Sequence, residues 1–176
     1  MAGFTVKYSA APATITARNG DTWLLINVRG DFYNLSVVRL KEEHWTPPFK
    51  NAEEILREMN ANSSVAIYGI GFSPGDQAIN EPDSKTLVEA LKYLKENPNL
   101  GIIVESHKFS TNGNAENDLE ITKKRANAVV DWLVAHGVTA GRLQSKALGR
   151  TKPLTENDTP IEIQRNERIA LSKAGS

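Results

Sequence analysis

Residues 101–126 read GIIVESHKFSTNGNAENDLEITKKRA, and three successive textures in this stretch decide the fold. An apolar run, Ile102-Ile103-Val104, reads as a buried strand that begins at Leu100 and ends at Val104. A polar loop follows, holding Ser106, His107, Lys108, Asn112 and Gly113. The loop feeds a helix expected from about Asp118 to His136, with Asp118, Thr122 and Arg125 in its first turns. A strand, a glycine-containing loop and a helix start form a layout suited to binding. The loop supplies shape, and the helix N-terminus supplies unpaired N–H donors.

Working outward, the same rhythm repeats on both sides. Upstream, Val65–Ile70 is a short apolar strand and Phe72-Ser73-Pro74-Gly75-Asp76 a polar turn. Asp83 or Ser84 then caps a helix carrying Leu87, Ala90, Leu91 and Leu94 on one face, stopped by Asn97-Pro98. Downstream, the long helix has Ile121, Arg125/Ala126, Val129, Val130, Leu133 and Val134 as its inward stripe, and Gly137 closes it. Leu143–Leu148 is a strand, Pro160–Glu167 a short helix and Arg168–Ser172 a final strand. This alternation predicts a two-layer α/β (α+β) sandwich of βαβαβ type, a mixed sheet with two helices on one face.

The first 63 residues have a different texture. Phe4–Tyr8, Thr14–Ala17, Trp23–Val28 and Tyr33–Leu40 alternate as strands do, with turns at Asn19-Gly20-Asp21 and Arg29-Gly30-Asp31. Ala52, Ile55, Leu56 and Met59 then mark an amphipathic helix over Asn51–Ala61. The expected division is a meander plus helix at 1–63 and an α/β domain at 64–176. A unit as small as the first buries a thin core, so it packs on the rest or belongs to a larger module.

Composition excludes several classes. Lysine plus arginine and aspartate plus glutamate number 21 each, seven of each up to Ser63 and fourteen of each beyond, so neither part is a basic footprint for nucleic acid or anionic membrane. No run of about 18 apolar residues exists to span a membrane. The start, MAGFTVKYSAAP, lacks a basic region followed by an apolar one, so no signal peptide is expected in this chain, which also fits a mature fragment with a replaced start. The absence of cysteine removes disulfides, thiolate metal sites and cysteine nucleophiles. His44, His107 and His136 lack metal-ligand spacing, and no metal or cofactor is expected. Ser106 and His107 are neighbours on one strand and point to opposite faces, so they make no nucleophile–base pair. The chain is expected not to be an enzyme.

Ile70-x-Phe72-x-x-Gly75, Ser84-x-x-Leu87 and Leu94-x-x-Asn97-Pro98 resemble the C-terminal domain of OmpA-like proteins. Glu105-Ser106-His107 with Ile121-Thr122-x-x-Arg125-Ala126-x-x-Val129 resembles that family's core motif, GHTD…N-x-x-LS-x-x-RA. Gly149, Pro153, Asn157 and Asn166-x-Arg168-Ile169 resemble its ending, G…P…N…NRRV. The resemblance covers Val65 to Leu171. It implies a non-catalytic, periplasmic domain of the Gram-negative envelope that binds the diaminopimelate of a peptidoglycan stem peptide between an aspartate and an arginine. Arg125 matches that arginine and Thr122 the motif serine, with Asp118 in place of the motif asparagine. Phe109 or Ser110 occupies the aspartate position, Glu162-Ile163 stand for the usual Gly-Arg and Glu167 replaces the first arginine of NRR. The expected ligand residues are therefore Arg125, Asp118, Thr122, Ser110, Phe109, Lys108 and His107, with Asp118 or Glu116 as the ammonium partner. The alternative is a degenerate domain that has lost peptidoglycan binding and serves as a module for envelope proteins.

Overall fold

The computed structural model describes residues 5–10, 13–19, 22–29, 32–39, 45–80, 84–111, 113–157 and 159–175. The chain divides into two compact units, Met1–His44 and Trp45–Ser176.

The first unit is a four-stranded antiparallel meander. Strands β1 (Thr5–Ala10), β2 (Ala13–Asn19), β3 (Thr22–Arg29) and β4 (Phe32–Arg39) pair in sequence order, as their alternation predicts. The β3–β4 register sets Trp23 opposite Val38, Leu24 opposite Val37 and Arg29 opposite Phe32. The connecting Gly30-Asp31, like Gly20-Asp21, lies outside the described residues. Ala17 is the one buried hydrophobic residue described in this unit, while Phe32, Tyr33, Leu35, Val37 and Val38 are exposed.

The second unit starts earlier than the sequence suggests. Helix α1 (Ala52–Asn62) was expected to fall on the meander's side of a boundary at Ser63; instead the contact boundary follows His44. A capping box at Asn51 and Glu54 fixes the start of the helix, and its Ile55 and Met59 enter the core of the second unit. The energetic reason is plain: two large apolar side chains find a closed interior there.

The sheet of this unit contains β5 (Ser64–Ile67), β8 (Ile102–His107), β9 (Leu143–Gly149) and β10 (Arg168–Lys173), in the order β5-β10-β8-β9. β8 and β9 are parallel, joined through α3 (Ala115–Ala135), and the other pairs are antiparallel, so the sheet is mixed as predicted. Alternate residues Ile102 and Val104 share one core with Ile169, Leu171, Val65 and Ile67. Helix α2 (Lys85–Glu96) contributes Leu87, Leu91 and Leu94, and α3 contributes Val129 and Leu133. A small hairpin, β6 (Gly71–Phe72) with β7 (Ile79–Asn80), precedes α2, and α4 (Pro160–Asn166) precedes β10.

Several boundaries differ from the sequence reading. β5 ends at Ile67, three residues before the expected Ile70, and Gly69 takes a left-handed φ of 68°. β8 continues through Ser106 and His107 instead of stopping at Val104, because β10 pairs with it to the end. α3 begins at Ala115, where the Asn114 side chain accepts from the Asn117 N–H at 2.7 Å. Its buried line runs Asp118, Thr122, Ala126, Val129, Leu133, a continuous 3–4 spacing in which two polar residues hold the first places. Val134 is exposed and Ile121 half-buried, so the expected stripe was rotated at both ends. Ser84 stands at the α2 N-cap, where its carbonyl accepts from Leu87 and Val88 N–H but its side chain makes no cap bond; the hydroxyl instead donates to Asn80 O and accepts from Gly71 N, tying the hairpin down. Asp83 lies outside the described residues.

Candidate functional site

The loop between β8 and α3 is built around a buried carboxylate. Asp118 is fully buried in the first turn of α3 and receives the Arg150 guanidinium through Nε at 2.9 Å and a second nitrogen at 2.5 Å. Burial alone would raise its carboxyl pKa, but hydrogen bonds from Ser110 and Arg150 outweigh it and hold the pKa below the ordinary value. The same guanidinium donates to the Gly113 carbonyl at 3.0 Å and lies 4.9 Å from the Phe109 ring centre. The Ser110 N–H donates to Asp118 at 3.2 Å. Gly113 has to be glycine: a Cβ there would sit 2.7 Å from the Ser110 Cβ. Thr122, also fully buried, accepts from the Gly149 N–H at 3.1 Å and donates to the Leu119 carbonyl at 2.9 Å. Asp118, Thr122, Ser110 and Phe109 thus clamp loop, helix and the end of β9 together.

Arg125 belongs to a separate arrangement. A cavity of about 260 Å³ is lined by Tyr68, Phe72, Asp76, Ser106, His107, Arg125, Glu167 and Arg168, with Ile67, Gly69, Ile70 and Ile169. Arg125 Nε donates to Asp76 Oδ1 at 2.7 Å, and its guanidinium lies 4.9 Å from the Phe72 ring centre. Glu167 stands 3.9 Å from the same guanidinium and takes the Lys108 ammonium on its other oxygen. Asp76 reaches this position from the β6–β7 turn, where Gly75 and Asp76 adopt φ of 91° and 60° and Asp76 N–H donates to Ser73 O.

The end of β8 forms another part of the wall. His107 is buried, faces Arg168 across the β8–β10 register, and neither of its ring nitrogens has a hydrogen-bond partner. Burial first, and the Arg168 charge second, pull its pKa from 6.5 down to about 4. The Ser106 hydroxyl is likewise buried and unpartnered. Arg168 donates to the carbonyls of Asn166 and Lys152 at 3.3 and 3.0 Å. Asn166, itself buried, pins the preceding segment through Leu154, Thr155 and Asn157.

Of the residues expected to bind ligand, Arg125 and His107 line the cavity and Lys108 reaches it through Glu167. The clamp takes the rest. Asp118 is not set against Arg125 and Glu116 is exposed, so the carboxylates beside Arg125 are Asp76 and Glu167. His107 does not tie the loop to the backbone through its ring. Sequence reading missed Asp76 and Arg150. The Gly75-Asp76 turn signalled a sharp reversal without showing where its side chain goes, and nothing in the spacing linked Arg150 to Asp118. Among the described residues no helix is long and apolar enough to cross a membrane, and no cluster of three histidine, aspartate or glutamate residues is placed to hold a metal ion.

A family model described as the OmpA family matches residues 71–167. The peptidoglycan-associated lipoprotein of Agrobacterium fabrum is 32% identical over 107 residues, 61% of this chain and 60% of that protein. The sodium-type flagellar protein MotY of Vibrio parahaemolyticus is 26% identical over 99 residues, 56% of this chain and 33% of that protein. The crystal structure of the peptidoglycan-associated lipoprotein from Burkholderia pseudomallei superposes with a TM-score of 0.52 at 25% identity, covering 67% of this chain and 98% of that one. A MotB-like protein from Desulfovibrio vulgaris shares the fold, with a TM-score of 0.53 at 18% identity over 69% of this chain and 89% of its own. The chain spans between a third and about three fifths of the length of the first three curated relatives it matches.

Proposed function

The chain belongs to the OmpA family, and on that premise we propose that residues 45–176 are a non-catalytic, periplasmic cell-wall-binding domain that takes the diaminopimelate-bearing stem peptide of peptidoglycan at the Arg125 cavity. The observation carrying this reading is a half-buried guanidinium flanked by two carboxylates in a cavity of about 260 Å³. A zwitterionic amino-acid head needs a cation for its carboxylate and an anion for its ammonium. Arg125 supplies the first. Asp76 and Glu167 supply the second, in place of the loop aspartate that Phe109 and Ser110 have displaced. The names of relatives, among them a peptidoglycan-associated lipoprotein and the peptidoglycan-binding protein ArfA of Mycobacterium tuberculosis, support the substrate class.

One observation favours the alternative, a domain that has lost this ligand and meets envelope proteins instead. Arg125 is already neutralised by Asp76, and a ligand carboxylate has to compete with that pair. Pull-down of the full chain with purified diaminopimelate-type sacculi separates the two. Binding that is lost in Arg125→Ala supports the anchor; no sediment of the parent chain with sacculi sinks it.

A further inference from the structure

We infer that the meander is an interaction surface for a second copy of this chain, the apolar face of one sheet stacking on the same face of the other. The strand registers define that face. Leu24 with Val37, Ile26 with Leu35 and Val28 with Tyr33 are direct partners across β3 and β4, and alternate residues of a strand share a side. On β2, Ala17 stands opposite Leu24 and Ile15 opposite Ile26, which extends the face without a break. None of these eight residues is an aspartate, glutamate, lysine, arginine or histidine. The other side is mixed, with Thr16, Asn27, Asn34 and Ser36 among its members. A sheet patterned in this way is built to bury one face against a second layer.

The meander does not supply that layer itself. Tyr33, Leu35 and Val37 are 76%, 52% and 64% exposed. Leu24, Ile26 and Val28 are only half-buried, although their strand is flanked by β2 and β4. Three features point to a copy of the chain as the occupant. The first is area. Four strands about 4.8 Å apart and roughly 24 Å long present about 450 Å² in projection. Side chains standing on that face raise its accessible area toward the roughly 800 Å² per partner of a stable dimer. The second is charge: a face without any offers no ion pair to a charged partner and does not repel its own copy. The third is shape. Two sheets of identical twist stack with their strands about 30° apart, and a two-fold axis sets the same patch on both sides.

Sedimentation velocity on the full chain, from about 1 to about 200 µM, tests the interface without sacculi and so independently of the proposed ligand. A dimer that dissociates on dilution is expected. Leu35→Lys and Tyr33→Lys each place an ammonium in the stacked face and should weaken association about a hundredfold or more. Tyr33→Lys, at the most exposed position of the face, keeps the test sound should Leu35→Lys lose its fold. Val38→Lys points to the other side of β4 and should change association by less than about threefold. A dimer indifferent to Leu35→Lys and Tyr33→Lys is held elsewhere, and one that Val38→Lys weakens equally is paired along the β4 edge; either result overturns the stacked face. A chain that stays monomeric overturns it too. Flotation with phosphatidylcholine vesicles then assigns the face: a monomer that floats gives it to lipid, and one that does not gives it to a different protein.

Discussion

Two arginine–aspartate pairs share helix α3, and they do different work because water reaches one and not the other. Arg150 meets an Asp118 with no exposed surface, through two nitrogens, while also donating to the loop carbonyl of Gly113. Arg125 meets Asp76 through one nitrogen, with about a fifth of each side chain exposed, and Glu167 adds a second acid at 3.9 Å. Identical charges therefore make a piece of the fold in one place and an openable contact in the other. Desolvation decides which. A buried charge left without its partner is costly, whereas a solvated pair stabilises little.

The largest effect is expected where the pair is buried. Asp118→Ala strands Arg150 and frees the Ser110 N–H, and should cost about 3–5 kcal/mol of stability in chemical denaturation. Loss of sacculus binding at unchanged stability would break the comparison by making Asp118 a ligand residue after all.

Acid sharpens the same contrast. His107 has a folded pKa of about 4 against 6.5 in the unfolded chain, so between these values the unfolded state takes up a proton that the folded state refuses. Its contribution is whole above pH 6.5 and is lost as pH falls to about 4, amounting to about 3 kcal/mol. Asp118 acts in a lower window. Its folded pKa is depressed, so its contribution is present above the ordinary carboxylate pKa and is lost as pH falls through the folded value. Urea midpoints measured from pH 7 to pH 3 should therefore decline in two stages. His107→Gln should flatten the upper stage and leave the lower one. A single stage that His107→Gln does not alter would show that the imidazole titrates freely.

These pairs also mark how far the sequence could be read. Apolar alternation and helical spacing located all four meander strands, both long helices and the mixed sheet, because burial of Leu87, Leu91, Val129 and Leu133 imposes a period that the chain displays directly. Boundaries slipped where polar residues do the packing. Asp118 and Thr122 occupy core positions of α3 but look like surface residues in a linear pattern, so the helix was begun at Asp118 instead of Ala115. α1 was legible as a helix; its allegiance was not, since an amphipathic stripe names no partner. The site was half legible. Arg125 is legible from its motif, but its acids come from a turn 49 residues earlier and from the C-cap of α4, 42 residues later, and no local period links such positions.

A smaller effect is expected at Thr122. Thr122→Val keeps the shape and removes the acceptor of the buried Gly149 N–H, so it should cost about 1–3 kcal/mol. Gly149 itself has φ of 49° and sits against the Leu119 backbone, where a Cβ added to it would lie 3.3 Å from the Leu119 nitrogen. Amide exchange should quicken at Gly149 and at Lys108, whose N–H donates to Gly149 O, while the meander is unaffected. Exchange unchanged at Gly149 would mean that the hydroxyl is not what holds β9 to α3.

The smallest effect on stability, and the one that bears most on function, is expected at Arg125. Its Asp76 contact is a single hydrogen bond between side chains that water reaches, and the Phe72 ring adds a cation–π contact of about 0.5–1 kcal/mol at an exposed site. Removing the guanidinium leaves Asp76 solvated on a turn and Glu167 still paired with Lys108, so neither acid is stranded in the interior. Arg125→Ala should consequently shift the denaturation midpoint by no more than about 1 kcal/mol, well below the cost at Asp118, while abolishing sedimentation with sacculi. Asp76→Asn separates charge from shape: it frees Arg125 from its closest competitor and, if Glu167 serves the ligand ammonium, strengthens binding. Weaker binding in Asp76→Asn assigns the ammonium to Asp76 instead. A loss of 3 kcal/mol or more in Arg125→Ala would place this arginine with Arg150 as part of the fold, and the distinction between the two pairs would fall.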